Sequence, residues 1–568
     1  MRFMSDQDVV TGIQEAVQKV FGIEASVHLD RPEAQFGDFT TNVAMQLAKQ
    51  LQQPPRVIAE AIAEQLQTSV LFAEVAAAGP GFINMKLTDK VLAEQVWRVP
   101  NYKLQQFASK QVVAEYSDPN PFKALHAGHL YTTIVGDVIA RLFEEAGAEV
   151  HRINYGGDVG LHVGRAMWAI IAFLGGEHPE KLATVPEAER STWLSARYVE
   201  GSSAYDNDDQ AKQAIIAANK RVYQLHTTQD HESPFAQIYW TCREWSYDGF
   251  RALYNQLQIT PFERFLPESE STPAGLEIVA KGTQQGVFKP SQGATVFEGE
   301  PYGLHTRVFV TAEGLPTYET KDLGLATIKW RDYTFDVNVI ITANDIVEYM
   351  KVVLKALSSF YPEVAERTVH LTHGVVKLPG GVKMSSRKGN TLLAQDILDS
   401  AREASLALSG SDDTAVVVAA VKYVFLKQRI GGDIIYNPKE SVSLEGNSGP
   451  YLQYAHARAR SILRKVVHTK QTVSVPDFQP AERLLARKLS LFPEVLTRVV
   501  DELAPHHLCT YAYELTQEFN RFYEHNRVID DERQEVRAQL VETYADVLAR
   551  CLQILGMTAP QQLAKKGA

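Results

Sequence analysis

The chain has 568 residues, 45% hydrophobic and 22% charged, which exceeds one ordinary core, predicts three or four domains and excludes a disordered or fibrous chain. Its formal charge is −11, from 57 basic and 68 acidic residues; that excludes nucleic-acid binding through bulk charge, so any RNA contact must use local patches on the ~8–10 Å scale of salt screening. No apolar run reaches the roughly 18 residues of a membrane helix. The opening MRFMSDQDVVTG carries an acidic residue where an export signal would be apolar, and Cys242, Cys509 and Cys551 lie far apart with no CxxC pair, which predicts a reducing, cytoplasmic setting and no thiolate zinc.

Residues 1–90 open with a helical stretch, continue through RPEAQFGDFTTNVAMQLAKQL and a second helical run at 55–66, and close on GPGFINMKL. The Gly79-Pro80-Gly81 turn leads into alternation over Phe82–Met85, so this is a compact α/β module. Residues 91–109 read as a connection into an α/β region at 107–440. QVVAEYS (111–117) is a short strand, DPNPFKALHAG a loop, and Leu130, Ile134, Val138, Leu142 and Phe143 have helical spacing before EVHRINYGG, a second strand. Strand, loop, helix and strand in about 45 residues form a βαβ unit of a parallel nucleotide-binding sheet. Residues of about 165–300 are mostly helical and polar and read as an insertion; strands resume at TRVFVTAEG, VNVIITAND and RTVHLTHGVVKL. From 445 to 568 the periodicity is that of a helical bundle.

Two motifs carry chemistry. His126-Ala127-Gly128-His129 lies where the first strand gives way to a helix, a position where free backbone N–H groups and the dipole favour phosphate. The imidazoles add donors, and Gly128 leaves room for adenine against the backbone. Lys383-Met384-Ser385-Ser386-Arg387-Lys388-Gly389-Asn390 follows Gly380-Gly381; cations on such a closing loop stabilise charge developing on a leaving pyrophosphate.

Together the HxGH and KMSS elements resemble the paired signature of class I aminoacyl-tRNA synthetases. The run from Glu115-Tyr116-Ser117-Asp118-Pro119-Asn120 through Lys123 to His126 and His129, with Asn447-Ser448-Gly449-Pro450-Tyr451-Leu452-Gln453-Tyr454-Ala455-His456-Ala457-Arg458, resembles the arginyl-tRNA synthetase family. FGDF…NVAMQLAK and GPGFIN resemble that family's additional N-terminal domain, and the likeness spans nearly the whole chain. It implies an α/β fold: a Rossmann-like catalytic domain with an insertion, an N-terminal α/β module contacting the tRNA elbow, and a C-terminal helical anticodon-binding bundle of the DALR type. It further implies a cytoplasmic monomer that joins arginine to the terminal adenosine of its tRNA through arginyl-adenylate, using ATP with Mg²⁺ held largely on phosphates and water.

The resemblance assigns residues. His126, Gly128, His129, Lys383, Met384, Ser385 and Ser386 would bind ATP, with His126, His129, Lys123, Lys383 and Lys388 as the catalytic set. Tyr318 and Asp322, four apart on one helix face, are the family's guanidinium-reading pair; Glu115 and Asn120 fall on its amino-acid positions, and Glu268 adds an acidic wall. A planar, permanently charged guanidinium calls for carboxylates in fork geometry. Tyr451, Tyr454, Arg458, Arg460 and Arg464 place aromatic and cationic groups on one helix for single-stranded RNA.

The chain departs from the pattern twice. The loop's second lysine is replaced by Ser386, and Lys123, just ahead of HxGH, is the preferred substitute. Asp345 and Glu348 stand where Gln and His are common in the family, and their acidity suits a cationic substrate. A cysteinyl enzyme would need thiolates this chain lacks, a non-catalytic paralogue would lose HxGH or KMSS, and a generic nucleotidyltransferase would lack the bundle.

Overall fold

The structure, a computed structural model, describes residues 6–379, 392–466 and 477–562. The N-terminal module sets α1 (Asp6–Phe21), α2 (Val43–Leu51) and α3 (Pro55–Leu66) against an antiparallel sheet of β1 (Phe39–Thr41), β2 (Phe72–Ala78) and β3 (Phe82–Leu87) in order β1-β3-β2. β3 alternates in burial, with Ile83, Met85 and Leu87 inside, so the alternation in the sequence is the core face of the strand. Helix α4 (Asp89–Val96) leads out of the module.

The catalytic region is built on five parallel strands: β4 (Gln111–Glu115), β5 (Glu149–Gly156), β6 (Arg264–Pro267), β10 (Val337–Ala343) and β11 (Thr368–His373), in order β11-β10-β4-β5-β6. Val112, Val113 and Ala114 are fully buried because helices cover both faces. From β4 the chain crosses through α5 (Ala127–Glu145) to β5 on one side, whereas β10 lies on the other. The gap between β4 and β10 is therefore the topological switch point, where doubly wound sheets open a crevice at their strand C-termini.

Between β5 and β6 runs a helical layer of α6 (Leu161–Leu174), α7 (Arg190–Asn207), α8 (Asp209–Thr228) and α9 (Pro234–Gln256), with its own buried cluster around Val163, Met167, Ile238 and Tyr239. Within the stretch read from sequence as one insertion, β6 departs from the expectation: it pairs with β5 as the edge of the main sheet. Four residues between long helices are too short to show a period, and only pairing identifies them. Next come α10 (Glu268–Gln284), an antiparallel sheet of β7 (Lys289–Ser291), β8 (Ala294–Phe297) and β9 (Arg307–Val310), then α11 (Tyr318–Tyr333) and α12 (Val347–Ser358). Helices α10 and α11 touch backbone to backbone. A Cβ at Gly275 would lie 1.9 Å from the Thr320 carbonyl oxygen, and one at Gly324 2.0 Å from that of Ser271, so only glycine permits the crossing that sets Glu268 beside Lys321.

Short α13 (Pro362–Glu366) and the β12 (Val376–Lys377)–β13 (Ile434–Ile435) pair flank α14 (Ala394–Ser409) and α15 (Thr414–Leu426). After α16 (Pro438–Ser441), the bundle comprises α17 (Gly449–Leu463), α18 (Pro480–Ser490), α19 (Phe492–Asp501), α20 (Pro505–His525) and α21 (Gln534–Ile554). The N-terminal module docks on α18 and α19. Arg483 bridges Asp38 and Asp89 at 2.6 Å each, and Arg31 pairs with Glu494. The FGDF aspartate, Asp38, is thus a buried docking residue that also accepts from the Leu87 N–H at 2.8 Å.

Candidate active site

β4 ends at Glu115 inside the crevice, and the loop that follows is strained. Ser117, Asp118 and Phe122 have φ of 76°, 48° and 69°, left-handed values that cost non-glycine residues about 1–3 kcal/mol each. Surrounding bonds hold them there. Ser117 Oγ meets the Tyr254 hydroxyl and Thr133 Oγ1, both at 2.7 Å; the Tyr155 N–H donates to Asp118 Oδ1 at 2.8 Å; and the Phe122 N–H donates to Ser246 Oγ at 2.9 Å. Asn120 Oδ1 accepts the Gly157 N–H at 2.8 Å, so its carbonyl fixes the β5 end and leaves the amide NH₂ as its donor toward a ligand.

The histidines work differently from the sequence expectation of free backbone donors. His126 is the N-cap of α5, and its Nδ1 accepts the N–H groups of Gly128 (3.1 Å) and His129 (3.4 Å); His129 Nδ1 accepts the His126 N–H at 3.3 Å. The Ala127 N–H is taken by the Leu392 carbonyl at 2.9 Å. The first-turn N–H groups are therefore satisfied internally, and because each Nδ1 accepts, each ring carries its proton on Nε2. The rings stack with centroids 3.8 Å apart, presenting two Nε2–H donors. Burial, then Lys123, lowers His126 to about 4, and burial with His126 and Lys123 holds His129 well below the usual range. Both are neutral donors at physiological pH. A Cβ at Gly128 would stand 2.9 Å from His126 Cε1, so the absence of a side chain here also makes room for the His126 ring.

Carboxylates crowd the other side. Glu115 and Glu268, each 4% exposed, are paired with buried lysines, Lys329 and Lys321, at 2.5 Å. Lys329 also donates to Asn338 Oδ1 at 2.9 Å. Asp322 has no such cation among the described residues; it accepts the Tyr349 hydroxyl at 2.5 Å. Burial, opposed by that hydrogen bond and reinforced by Glu115 and Glu268, pushes Asp322 up to about 7. Asp118 is driven well above the carboxylate range by burial and by Glu115. Among the described residues, four carboxylates thus share two close ammonium groups, with Lys123 acting on Glu268 from farther off, and the remaining imbalance is one that a cation would relieve. Tyr318 lies at the rim of this pocket, 54% exposed, with Lys321 Nζ 5.1 Å from its ring centroid. Lys329 was legible as the i+7 partner of Asp322 on α11, but Tyr349 and Asp118 carried no spacing signal.

Lys123 joins the two halves. Its charge lowers both histidines and acts on Glu268, and its Nζ lies 4.4 Å from the ring centroid of Tyr198 on α7. Lys383, Met384, Ser385, Ser386, Arg387 and Lys388 fall outside the described residues. Asp345 and Glu348 are exposed, and Glu348 pairs with Lys351 at 2.6 Å; they do not join the acidic pocket as their charge suggested, because the helical turn directs the next residue, Tyr349, inward. His162, missed from sequence, is buried at the start of α6 with Nε2 on the Gly157 carbonyl at 2.6 Å.

On α17, Tyr454 is 42% exposed with the Arg458 guanidinium 5.0 Å from its ring centroid, and Arg464 is exposed. Tyr451 turns into the bundle, packing on Tyr513 and accepting from Asn520 at 2.9 Å. Arg460 is engaged with Asp546 at 2.6 Å, whereas Arg464 donates to the Gln561 carbonyl at 3.0 Å and has no carboxylate partner among the described residues.

A parallel sheet with a histidine-capped helix at its switch point and a cation-seeking pocket beside it is the arrangement of a nucleotide-activating class I synthetase core. Residues 91–437 match the family described as tRNA synthetases class I (R), catalytic domain, residues 452–563 the DALR anticodon binding domain, and residues 7–87 the arginyl tRNA synthetase N terminal domain. The chain is 32% identical to the arginine–tRNA ligase of a Synechococcus strain over 553 residues, covering 91% of each chain. It is 31% identical to that of Pasteurella multocida, covering 92% of this chain and 96% of the relative. In fold it is similar to Thermus thermophilus arginyl-tRNA synthetase, with a TM-score of 0.78 at 22% identity over 99% of this chain and 100% of the other. The Plasmodium falciparum arginyl-tRNA synthetase is comparable, with 0.77 at 21% over 98% and 99%. The chain belongs to the arginyl-tRNA synthetase family.

Proposed function

We propose a residue-level course for the reaction that family membership assigns to this chain, the charging of tRNA with arginine. Asp322 holds the guanidinium of arginine, with Tyr318 packing at the rim, and Glu115 and Glu268, fixed by Lys329 and Lys321, line the pocket beside it. Asn120 orients the amino-acid end. The substrate carboxylate attacks the α-phosphate of ATP, giving arginyl-adenylate and pyrophosphate. The Nε2–H groups of His126 and His129 stabilise charge on the phosphates in a site already ordered for it. Lys123 supplies the cation that Ser386 lacks, with Lys383 and Lys388 as further cations. A hydroxyl of the terminal adenosine then attacks the adenylate carbonyl, releasing AMP and leaving arginine esterified to tRNA.

Magnesium keeps most of its water and takes phosphate oxygens, a donor set that needs no protein cage; among the described residues no three His, Cys, Asp or Glu side chains are arranged to hold a metal ion. Bound with ATP it would supply charge neutralisation on the phosphates. Tyr454, Arg458 and Arg464 are the RNA-facing groups of the bundle, Tyr451 bracing them from inside; the divisions at 1–90, 107–440 and 445–568 are taken as the working units. The three cysteines are buried and unpaired, which suits a cytoplasmic enzyme, and we read it as acting as a monomer.

The observation carrying this reading is the pocket's excess of carboxylates around Asp322. Arginine-dependent ATP–pyrophosphate exchange, with and without tRNA, tests it: exchange is expected with arginine and to fall roughly 100-fold in Lys123→Ala. No exchange even with cognate tRNA refutes the activity; an unchanged rate in the variant refutes the role of Lys123.

A further inference from the structure

Helix α12 brings to the pocket a side chain that neither the HxGH nor the Tyr-x-x-x-Asp pattern includes. Tyr349 sits in the first turn of α12, and its hydroxyl donates to Asp322 Oδ2 at 2.5 Å. Its ring is braced from β9 by the Arg307 guanidinium, 5.3 Å from the centroid, which Glu319 holds at 3.1 Å. The ring therefore has support on three elements and points at one carboxylate oxygen.

A carboxylate can bind a guanidinium through two parallel N–H bonds only if its plane is fixed, whereas an ammonium accepts a freely turning carboxylate equally well. We propose that Tyr349 is a positioning residue for arginine specificity, its hydroxyl locking the plane of Asp322 so that the remaining edge of the carboxylate takes a guanidinium in fork geometry. The inference rests on Asp322 being the guanidinium partner.

The electrostatics agree. Asp322 is acted on by Glu115 from β4, Asp118 from the following loop, Tyr155 from β5, Glu268 from α10, Lys329 on its own α11 and Tyr349 from α12; Lys321 beside it is tied to Glu268. Of these, the Tyr349 hydrogen bond is the foremost influence opposing burial. Removing it drives Asp322 further up and leaves less carboxylate at neutral pH.

The test compares full-length wild type, Tyr349→Phe, Asp322→Asn and the double variant in arginine-dependent ATP–pyrophosphate exchange with tRNA present, from pH 6 to 9. Tyr349→Phe is expected to raise KM for arginine roughly 10-fold, leave KM for ATP within about twofold, and narrow the preference for arginine over lysine. The acid limb of kcat/KM for arginine should move to higher pH by about one unit. In the Asp322→Asn background the same change should do nothing further, because the group it positions is gone. An unchanged arginine KM and limb in Tyr349→Phe, or an equal loss in both backgrounds, overturns the proposal. An arginine KM unaffected by Asp322→Asn instead overturns the Asp322 reading beneath it. Should Tyr349→Phe lower the yield of folded enzyme, Arg307→Gln loosens the brace and is read the same way, with the same sign expected and no change counting against the proposal.

Discussion

Asp322→Asn should make the empty enzyme more stable while impairing its use of arginine, and the effect should depend on pH. Asp322 is raised from an ordinary 3.8 to about 7, so the folded state binds an extra proton between those values. Stability from this group is greatest below the unfolded pKa, falls as pH rises from about 4 to 7, and is level above. Three pKa units are worth about 4 kcal/mol at most. Because Asp322 is only partly shielded from water, roughly 2 kcal/mol is the expected size. Asparagine keeps an oxygen to accept the Tyr349 hydroxyl and removes the charge. Thermal unfolding without ligand should therefore give a Tm a few degrees above wild type at pH 8, and about a third of that gain at pH 5. Saturating arginine should reverse the order, since binding stabilises only the enzyme that retains the carboxylate. A variant no more stable than wild type at pH 8, or a difference independent of pH, refutes the reasoning.

Gly128→Ala should displace the His126 ring, 2.9 Å from the added Cβ, raising KM for ATP by roughly 10-fold while KM for arginine holds, as exchange kinetics will report. Lys329→Met strands buried Glu115 and should destabilise by about 3–5 kcal/mol, much of it recovered when Glu115→Gln is added, measured as Tm. Since His126 sits at about 4 and His129 is well below its ordinary value, kcat/KM for ATP measured at saturating arginine, where bound substrate holds Asp322 ionised, should show no histidine limb from pH 6 to 8; a limb near 6.5 that persists there counts against neutral imidazoles.

The sequence by itself determined the class of the fold and the identities of the chemical groups. The run of Val112, Val113 and Ala114, the helical spacing from Leu130 and the HxGH between them define a βαβ unit because periodicity is a local property of the chain. Tyr318 and Asp322 share a helix face for the same reason. What the tertiary structure alone decided is what each group does with its neighbours. The Nδ1 atoms of His126 and His129 cap their own helix instead of meeting a ligand. Glu115 and Glu268 are already answered by Lys329 and Lys321, Glu348 turns to solvent, and Tyr349 from a different strand–helix unit reaches Asp322. These pairings join residues up to 214 positions apart. The charge and hydrogen bonding of a buried group depend on whatever the fold packs against it, which no spacing along the chain encodes.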